Sequence, residues 1–180
     1  LIYYNSVSMA GNRDAGVGGA TNQPAFALAI LGANPKVDLR NNALYNISTA
    51  GTGGPGGNAG SYAIGLSSTA PYTNLTSNYN DLFTSGASSH FAMAGSLVNV
   101  LFDLPTLAAW QAALGTDANS IAVDPTFSST INLQPSPGTP LVGAGTPVAV
   151  TVDILGIARS VTTPTIGAYE QAADVAGPVI

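Results

Sequence analysis

Three charged residues near the end of the chain have types and a spacing that could do chemistry. Asp153 and Arg159 lie in a D-x-x-G-x-x-R stretch, and Glu170 follows a short distance later. In one interpretation Arg159 acts as a base or an anion binder beside carboxylates, as in polysaccharide lyases. In the other, Arg159 forms a bidentate ion pair with Asp153 or Glu170 and staples the closing strands together. We predict the structural role for all three residues and expect no catalytic residue in the chain.

The other acidic residues do not form a pattern typical of a hydrolase or a lyase. A glycosidase needs two carboxylates facing one sugar bond, and a calcium site needs several carboxylates together. The sequence contains no D-x-D or D-D cluster and no cysteine, so a thiolate site is excluded. We therefore predict no metal and no cofactor. The acids concerned are scattered singly: Asp81, Asp103, Asp117 and Asp124.

The single histidine, His90, follows two serines. A Ser–His–Asp triad would use these residue types, but the chain has no G-x-S-x-G motif of the kind that presents a nucleophilic serine. We expect His90 to lie on an exposed loop.

Asparagines recur where the chain is expected to bend between two strands. Asn5, Asn42 and Asn80 each stand two residues before an aliphatic residue, at separations of 37 and 38 residues. In a parallel β-helix, Asn at a tight bend can adopt left-handed backbone angles and stack its amide on the equivalent Asn one coil away. We predict that these three residues form such a ladder. The strands expected around them lie at 1–9, 37–47 and 74–83, with others at 61–67 and 91–98 and a strand or helical turn at 25–31.

One segment, residues 103–115, has the periodicity of a helix. Leu107, Trp110 and Leu114 fall on one helical face, Pro105 suits a helix start and Gly115 suits a helix end. The sequence predicts a short amphipathic helix that lays Trp110 over an otherwise exposed apolar surface. The alternative is that the only tryptophan of the chain forms a ligand platform.

The closing segment, residues 124–170, is predicted to form three short strands separated by turns rich in Pro and Gly. Its four-part pattern resembles the closing segment of bacterial right-handed parallel β-helix proteins, the pectate-lyase-like surface proteins grouped as choice-of-anchor Q domains. The resemblance implies a fold and an extracellular location, but no reaction. The four parts are Asp124–Phe127, Ser136–Gly145, Asp153–Arg159 and Ile166–Glu170.

The composition limits the classes of partner. Of the 180 residues, 46% are apolar and only 7% are charged, with a net charge of −5. Without a basic cluster we expect no nucleic-acid partner, and without a long apolar run we expect no membrane insertion. Large uncharged polar surfaces suit extracellular repeat proteins and subunits that pack against one another.

Together these observations predict an all-β fold: a short right-handed parallel β-helix with one short amphipathic helix and a C-terminal closing segment. Residues 1–172 are expected to form the β-helix domain, as the last coils of a longer precursor, and residues 173–180 a linker or the start of another domain. The predicted function is that of a non-enzymatic structural or adhesive module of a bacterial cell-surface protein, located outside the cell and self-assembling. The alternative is a carbohydrate-binding or polysaccharide-degrading module. The corresponding partners are copies of the chain or a surface polysaccharide.

Overall fold

Ten short strands, one helix and one 3₁₀ turn make up the regular structure of the described residues. The computed structural model describes residues 1–13, 23–49, 60–68, 72–86 and 89–171. The predicted linker at 173–180 and most of the Gly-rich stretch before residue 60 lie outside these ranges. The strands are β1 (Ile2–Tyr3), β2 (Ser6–Met9), β3 (Ala25–Ile30), β4 (Val37–Arg40), β5 (Ala43–Asn46), β6 (Ser61–Leu66), β7 (Leu75–Asn78), β8 (Asp81–Thr84), β9 (Ser89–Ala94) and β10 (Asp103–Leu104). The 3₁₀ turn is Val100–Phe102, and the helix, α1, is Leu107–Leu114.

The strands recur in the same order in three passes of the chain: β1–β3, β4–β6 and β7–β9. Equivalent strands of successive passes pair in parallel, giving the sheets β1-β4-β7, β2-β5-β8 and β3-β6-β9. Strand β10 extends the third sheet by antiparallel pairing with β9. The register brings equivalent residues of each pass together, as in the row Val7, Leu44 and Leu82. The fold is therefore mostly β, with parallel sheets and one short helix, as the sequence predicts.

A sharp bend separates the first two strands of every pass. The residues that take left-handed backbone angles there are Tyr4, Asn41 and Tyr79, with φ of 55°, 59° and 57°. The prediction that Asn5, Asn42 and Asn80 adopt these angles is wrong by one position. The residue before each Asn makes the turn, and the Asn that follows directs its amide along the stack.

The core lies between the three sheets. Leu39, Leu44, Ile64, Leu66 and Leu82 are almost completely buried, and every residue of β6, one of the two inner strands of its sheet, is buried. Each such aliphatic side chain contributes about 1.5–3 kcal/mol by leaving water. Strand pairing and this shared apolar interior together hold the passes in register.

The helix α1 covers the third pass. Thr106 caps its start, since its Oγ1 accepts the N–H of Ala109 at 3.1 Å, and Gly115 ends it with a φ of 67°. Trp110 is fully buried within the same core as the sheets. The helix and its end at Gly115 match the prediction, but it begins at Leu107, and residues 103–104 of the predicted helical segment form β10. Trp110 is a core residue with no exposed ring surface. No helix among the described residues is long and apolar enough to cross a membrane.

The closing segment does not form the three predicted strands. Over 124–171, the described part of the chain has turns and two isolated antiparallel bridges, Phe127 with Pro135 and Val152 with Ala158. Six prolines in this stretch remove backbone donors that a strand would need. The segment instead packs along the bends of the first two passes: the side chain of Asn41 exchanges two hydrogen bonds with the backbone of Thr146, both at 2.8 Å.

Candidate functional site

Asn5, Asn42 and Asn80 form a hydrogen-bonded ladder that runs across the three passes. The backbone N and Nδ2 of Asn5 both donate to Oδ1 of Asn42, at 3.0 and 2.9 Å. The backbone N and Nδ2 of Asn42 donate in the same way to Oδ1 of Asn80, both at 3.0 Å. The hydrogen bonds of the ladder therefore all point in the same direction. Between each pair of passes, two donors of one pass bind a single acceptor of the next pass.

The ladder ends on a buried carboxylate that the sequence did not single out. Asn80 donates from its backbone N to Ser120 Oγ at 2.9 Å and from Nδ2 to Asp117 Oδ1 at 3.3 Å. Trp110 donates from Nε1 to the other oxygen of Asp117 at 2.8 Å. Asp117 thus joins the Asn ladder to the helix. The sequence feature that could have identified Asp117 is its position just after Gly115, which ends the helix, with a serine three residues later.

Arg159 is held in a buried cluster by the closing segment and the first bend. Its Nη1 lies 3.3 Å from Oε2 of Glu170, and its Nη2 donates to the carbonyl oxygens of Gly167 and Ala168 at 3.2 and 3.1 Å. The guanidinium carbon lies 3.7 Å from the ring centroid of Tyr4, which makes a cation–π contact. The contact with Glu170 is therefore single, and the predicted bidentate ion pair is wrong because the other nitrogen binds backbone.

Within the described residues, Asp153 and Arg159 do not form an ion pair. Its Oδ1 accepts the N–H groups of Leu155 and Ile157, both at 2.8 Å, and its Oδ2 accepts that of Glu170 at 2.9 Å. Burial alone raises the pKa of Asp153, but these N–H groups and the nearby Arg159 charge lower it below its ordinary value. Its carboxylate fixes the turns of the closing segment and brings the Glu170 backbone to them.

His90 lies in strand β9, so the predicted loop is wrong, although the side chain is partly exposed. Its Nδ1 is 2.9 Å from Oδ2 of Asp103 in β10, and the hydroxyl of Tyr62 donates to the other oxygen of Asp103 at 2.7 Å. Parallel register stacks Phe26, Tyr62 and His90, with ring centroids 4.9 and 5.3 Å apart. The long sequence distance between these residues hid the cluster from sequence analysis.

A cavity of about 410 Å³ adjoins this His90 cluster. It lies between β8, β9 and the start of α1, and its walls carry hydroxyl groups beside aromatic rings. The side chain of His90 is 40% exposed, so the imidazole is accessible from solvent. Lining residues include Phe83, Thr84, Ser89, His90, Phe91 and Thr106.

Asp81 is the most perturbed carboxyl of the described chain. Its Oδ1 accepts the N–H of Val123 at 3.0 Å, whereas its Oδ2 is buried without a hydrogen-bond partner. Burial raises the pKa of Asp81 to about 8. A protonated carboxyl at neutral pH fits this buried position, where Asp81 contacts Val123 and pairs with Ile121.

Within the described ranges, no three His, Cys, Asp or Glu residues are grouped so that they could hold a metal ion. The residues predicted from sequence fall into two separate groups. The Asn ladder and Trp110 form one, and Asp153, Arg159 and Glu170 form the other around the first bend. Comparison with known proteins gives no match to a protein family, to a curated protein or to a solved structure.

Proposed function

We propose that the chain is a non-enzymatic structural or adhesive module of an extracellular bacterial cell-surface protein, and that its three passes are coils of a right-handed parallel β-helix. The handedness rests on a general rule, since crossovers between parallel strands of one sheet are almost always right-handed. The observation that carries the functional proposal is the use of the polar side chains. The amide groups of the ladder and the charged groups of the Arg159 cluster form hydrogen bonds and ion pairs with other parts of the same chain.

Self-assembly is the mode of action that the strand pairing supports best. Among the described residues, β1, β2 and β3 each pair with a strand on one side only. Unpaired strands of this kind add strands from other chains. Few charges oppose such pairing, because only 7% of the residues are charged.

The assembly can be tested by light scattering and electron microscopy on the purified protein. We expect a defined oligomer or filaments for the wild type. Met9→Lys places a charge on an exposed side chain of β2, which pairs on one side only, and should give a monomer. Ile131→Lys is the matched control, since Ile131 is 94% exposed and lies in the closing segment. A wild type that stays monomeric at every concentration would contradict self-assembly.

The second candidate function is carbohydrate binding or polysaccharide degradation at the cavity beside His90. It is favoured by the wall of the cavity, where the rings of Phe83, His90 and Phe91 lie beside hydroxyl groups, since ligand pockets combine apolar rings with a few polar groups that orient the ligand. A panel of bacterial and plant polysaccharides would be screened for binding and for newly formed chain ends. Binding that His90→Ala abolishes, with an unchanged melting temperature, would support this function. No binding to any polysaccharide would count against it.

A further inference from the structure

His90 is held by two successive hydrogen bonds that begin in the interior of the third sheet. The hydroxyl of Tyr62 in β6 donates to Oδ1 of Asp103 at 2.7 Å, and Nδ1 of His90 lies 2.9 Å from Oδ2 of the same carboxyl group. The rings of Tyr62 and His90 are stacked, with centroids 5.3 Å apart. The fully buried Tyr62 therefore positions both the carboxylate and the plane of the imidazole.

These contacts determine which nitrogen of His90 carries the proton. A carboxylate can only accept hydrogen bonds, so Nδ1 must donate to Asp103. In the neutral imidazole, Nε2 then carries the lone pair and is an acceptor. Among the described residues, Nε2 has no hydrogen-bond partner, and the side chain is 40% exposed. The cluster thus presents an acceptor of fixed orientation that the described part of the chain does not use.

A purely structural tie between β9 and β10 does not account for this arrangement. The two strands already pair through their backbones, with Asp103 opposite Met93 and Leu104 opposite Ala92. A tie would need only one oxygen of Asp103, and it would not need an accessible imidazole. An imidazole with a carboxylate behind one nitrogen is typical of sites where the other nitrogen contacts a ligand or a substrate.

The cavity beside β9 has room for a small ligand. Its volume of about 410 Å³ lies in the range of small-molecule sites, and His90 forms part of its wall. Phe83 and Phe91 give it an apolar part, and Thr84 and Thr106 give it hydroxyl groups.

The charges around the cavity favour an uncharged ligand. The lining residues of the described chain include no Lys or Arg, and the carboxylate of Asp103 lies behind His90, so an anion is disfavoured. An ammonium group would find no free carboxylate oxygen, because both oxygens of Asp103 are already hydrogen-bonded. A neutral hydroxyl group can donate to Nε2 without either penalty.

We infer that His90 recognises a hydroxyl group of a small, uncharged ligand in this cavity, with Nε2 as the acceptor and with Asp103 and Tyr62 as positioning residues. The inference does not depend on self-assembly. It rests on the second candidate function only for the place of the ligand, and it names the group that recognises the ligand. The hydroxyl group can belong to a sugar or to another alcohol, and the test separates these two sources.

The chain contains one histidine, so ¹⁵N-labelling of histidine gives a single imidazole, and its two nitrogen resonances report the position of the proton. We expect the neutral imidazole to carry the proton on Nδ1. Two matched pairs of probes are then titrated: benzyl alcohol with benzyl methyl ether, and methyl glucoside with its fully O-methylated form. Each ether keeps the oxygen but lacks the donor.

At least one alcohol should bind roughly tenfold more tightly than its ether, as the loss of one hydrogen bond implies. Its binding should shift the resonance of Nε2 far more than that of Nδ1. The glucoside alone showing this preference would identify a sugar as the source of the hydroxyl group, and benzyl alcohol alone would identify a non-sugar alcohol.

Two variants serve as controls, once a thermal melt shows that each is folded. His90→Phe keeps a ring and removes the acceptor, so each alcohol and its ether should bind equally. In Asp103→Asn, the new amide can direct its oxygen to the hydroxyl of Tyr62 and its NH₂ to Nδ1, which moves the proton of His90 to Nε2. The preference for alcohols should follow the tautomer: it should disappear where Nε2 carries the proton and persist where Nδ1 carries it.

The wild-type measurements decide the inference even if a variant does not fold. A proton on Nε2, equal binding of each alcohol and its ether, or no binding of any probe would overturn it. Alcohol binding at Nε2 without binding to any polysaccharide would refute the carbohydrate function alone. Polysaccharide binding that leaves the Nε2 resonance unchanged would refute the inference alone.

Discussion

Replacing Asp81 by asparagine should change how the stability of the protein depends on pH. Asp81 has one oxygen bonded to the N–H of Val123 and one buried oxygen without a partner. Burial, with a smaller contribution from the charge of Asp124, raises the pKa of Asp81 from 3.8 to about 8. Asp81→Asn preserves the size and the acceptor for Val123 and cannot ionise.

The magnitude follows from proton linkage. Between the two pKa values the unfolded chain has released the proton of Asp81, whereas the folded chain keeps it. The folded state therefore binds one more proton, and the free energy of unfolding falls as the pH rises, by about 1.4 kcal/mol per pH unit. From about pH 5 to about pH 7, the wild type should lose roughly 3 kcal/mol relative to Asp81→Asn.

Urea denaturation of both proteins across this pH range measures the effect, and the difference between them cancels the contributions of other titrating groups. Asp124→Asn is the control, because it removes a nearby exposed charge. Its free energy of unfolding should depend on pH almost as steeply as that of the wild type. Parallel stability curves for the wild type and Asp81→Asn would refute the reasoning, since they would mean that Asp81 ionises equally in the folded and unfolded chains.

Four further substitutions test the contacts that hold the passes together, each by chemical denaturation. Asn42→Ala should cost about 3 kcal/mol and Asn5→Ala about 1 kcal/mol, because the first leaves buried backbone groups unpaired and the second site is exposed; equal losses would contradict the ladder as a buried element. Arg159→Ala should cost about 3–5 kcal/mol and lower the melting temperature, because it leaves a buried carboxylate unpaired, while an unchanged melt would refute the staple. Trp110→Phe should cost about 2 kcal/mol through the lost hydrogen bond to Asp117 and the smaller ring, and a neutral effect would show that this bond is unimportant.

Features set by neighbouring residues could be predicted from the sequence. The helix boundaries follow from Thr106, the apolar spacing around Trp110 and the left-handed angle at Gly115, all of which act within a few residues. The ladder positions Asn5 and Asn42 could be found because parallel register repeats the same bend at nearly constant separation. The repeat does not show which residue of each bend turns left-handed, since Tyr4 and Tyr79 do so without the residue type that favours it.

Features that depend on distant pairing could not be predicted. His90 contacts Asp103 only because β10 turns back and pairs with β9. No local sequence pattern predicts this antiparallel pairing. The sequence of the closing segment predicted strands because its apolar residues occur in short runs between prolines. Its polar contacts come instead from side chains such as Asn41 and Asp153, which bind backbone far away in the sequence.

The closing segment also affects how the molecule opens and folds. Stacks of repeats commonly lose their terminal unit first, since each unit touches only its neighbours. Here Ala168 donates to the hydroxyl of Ser6 at 3.0 Å, and Tyr4 donates to the carbonyl of Thr146 at 3.1 Å. The first pass is thus tied to the closing segment, across 162 and 142 positions. Such long-range closure slows folding, delays completion of the first pass until the closing segment has been synthesised, and couples the opening of the first pass to that of the closing segment.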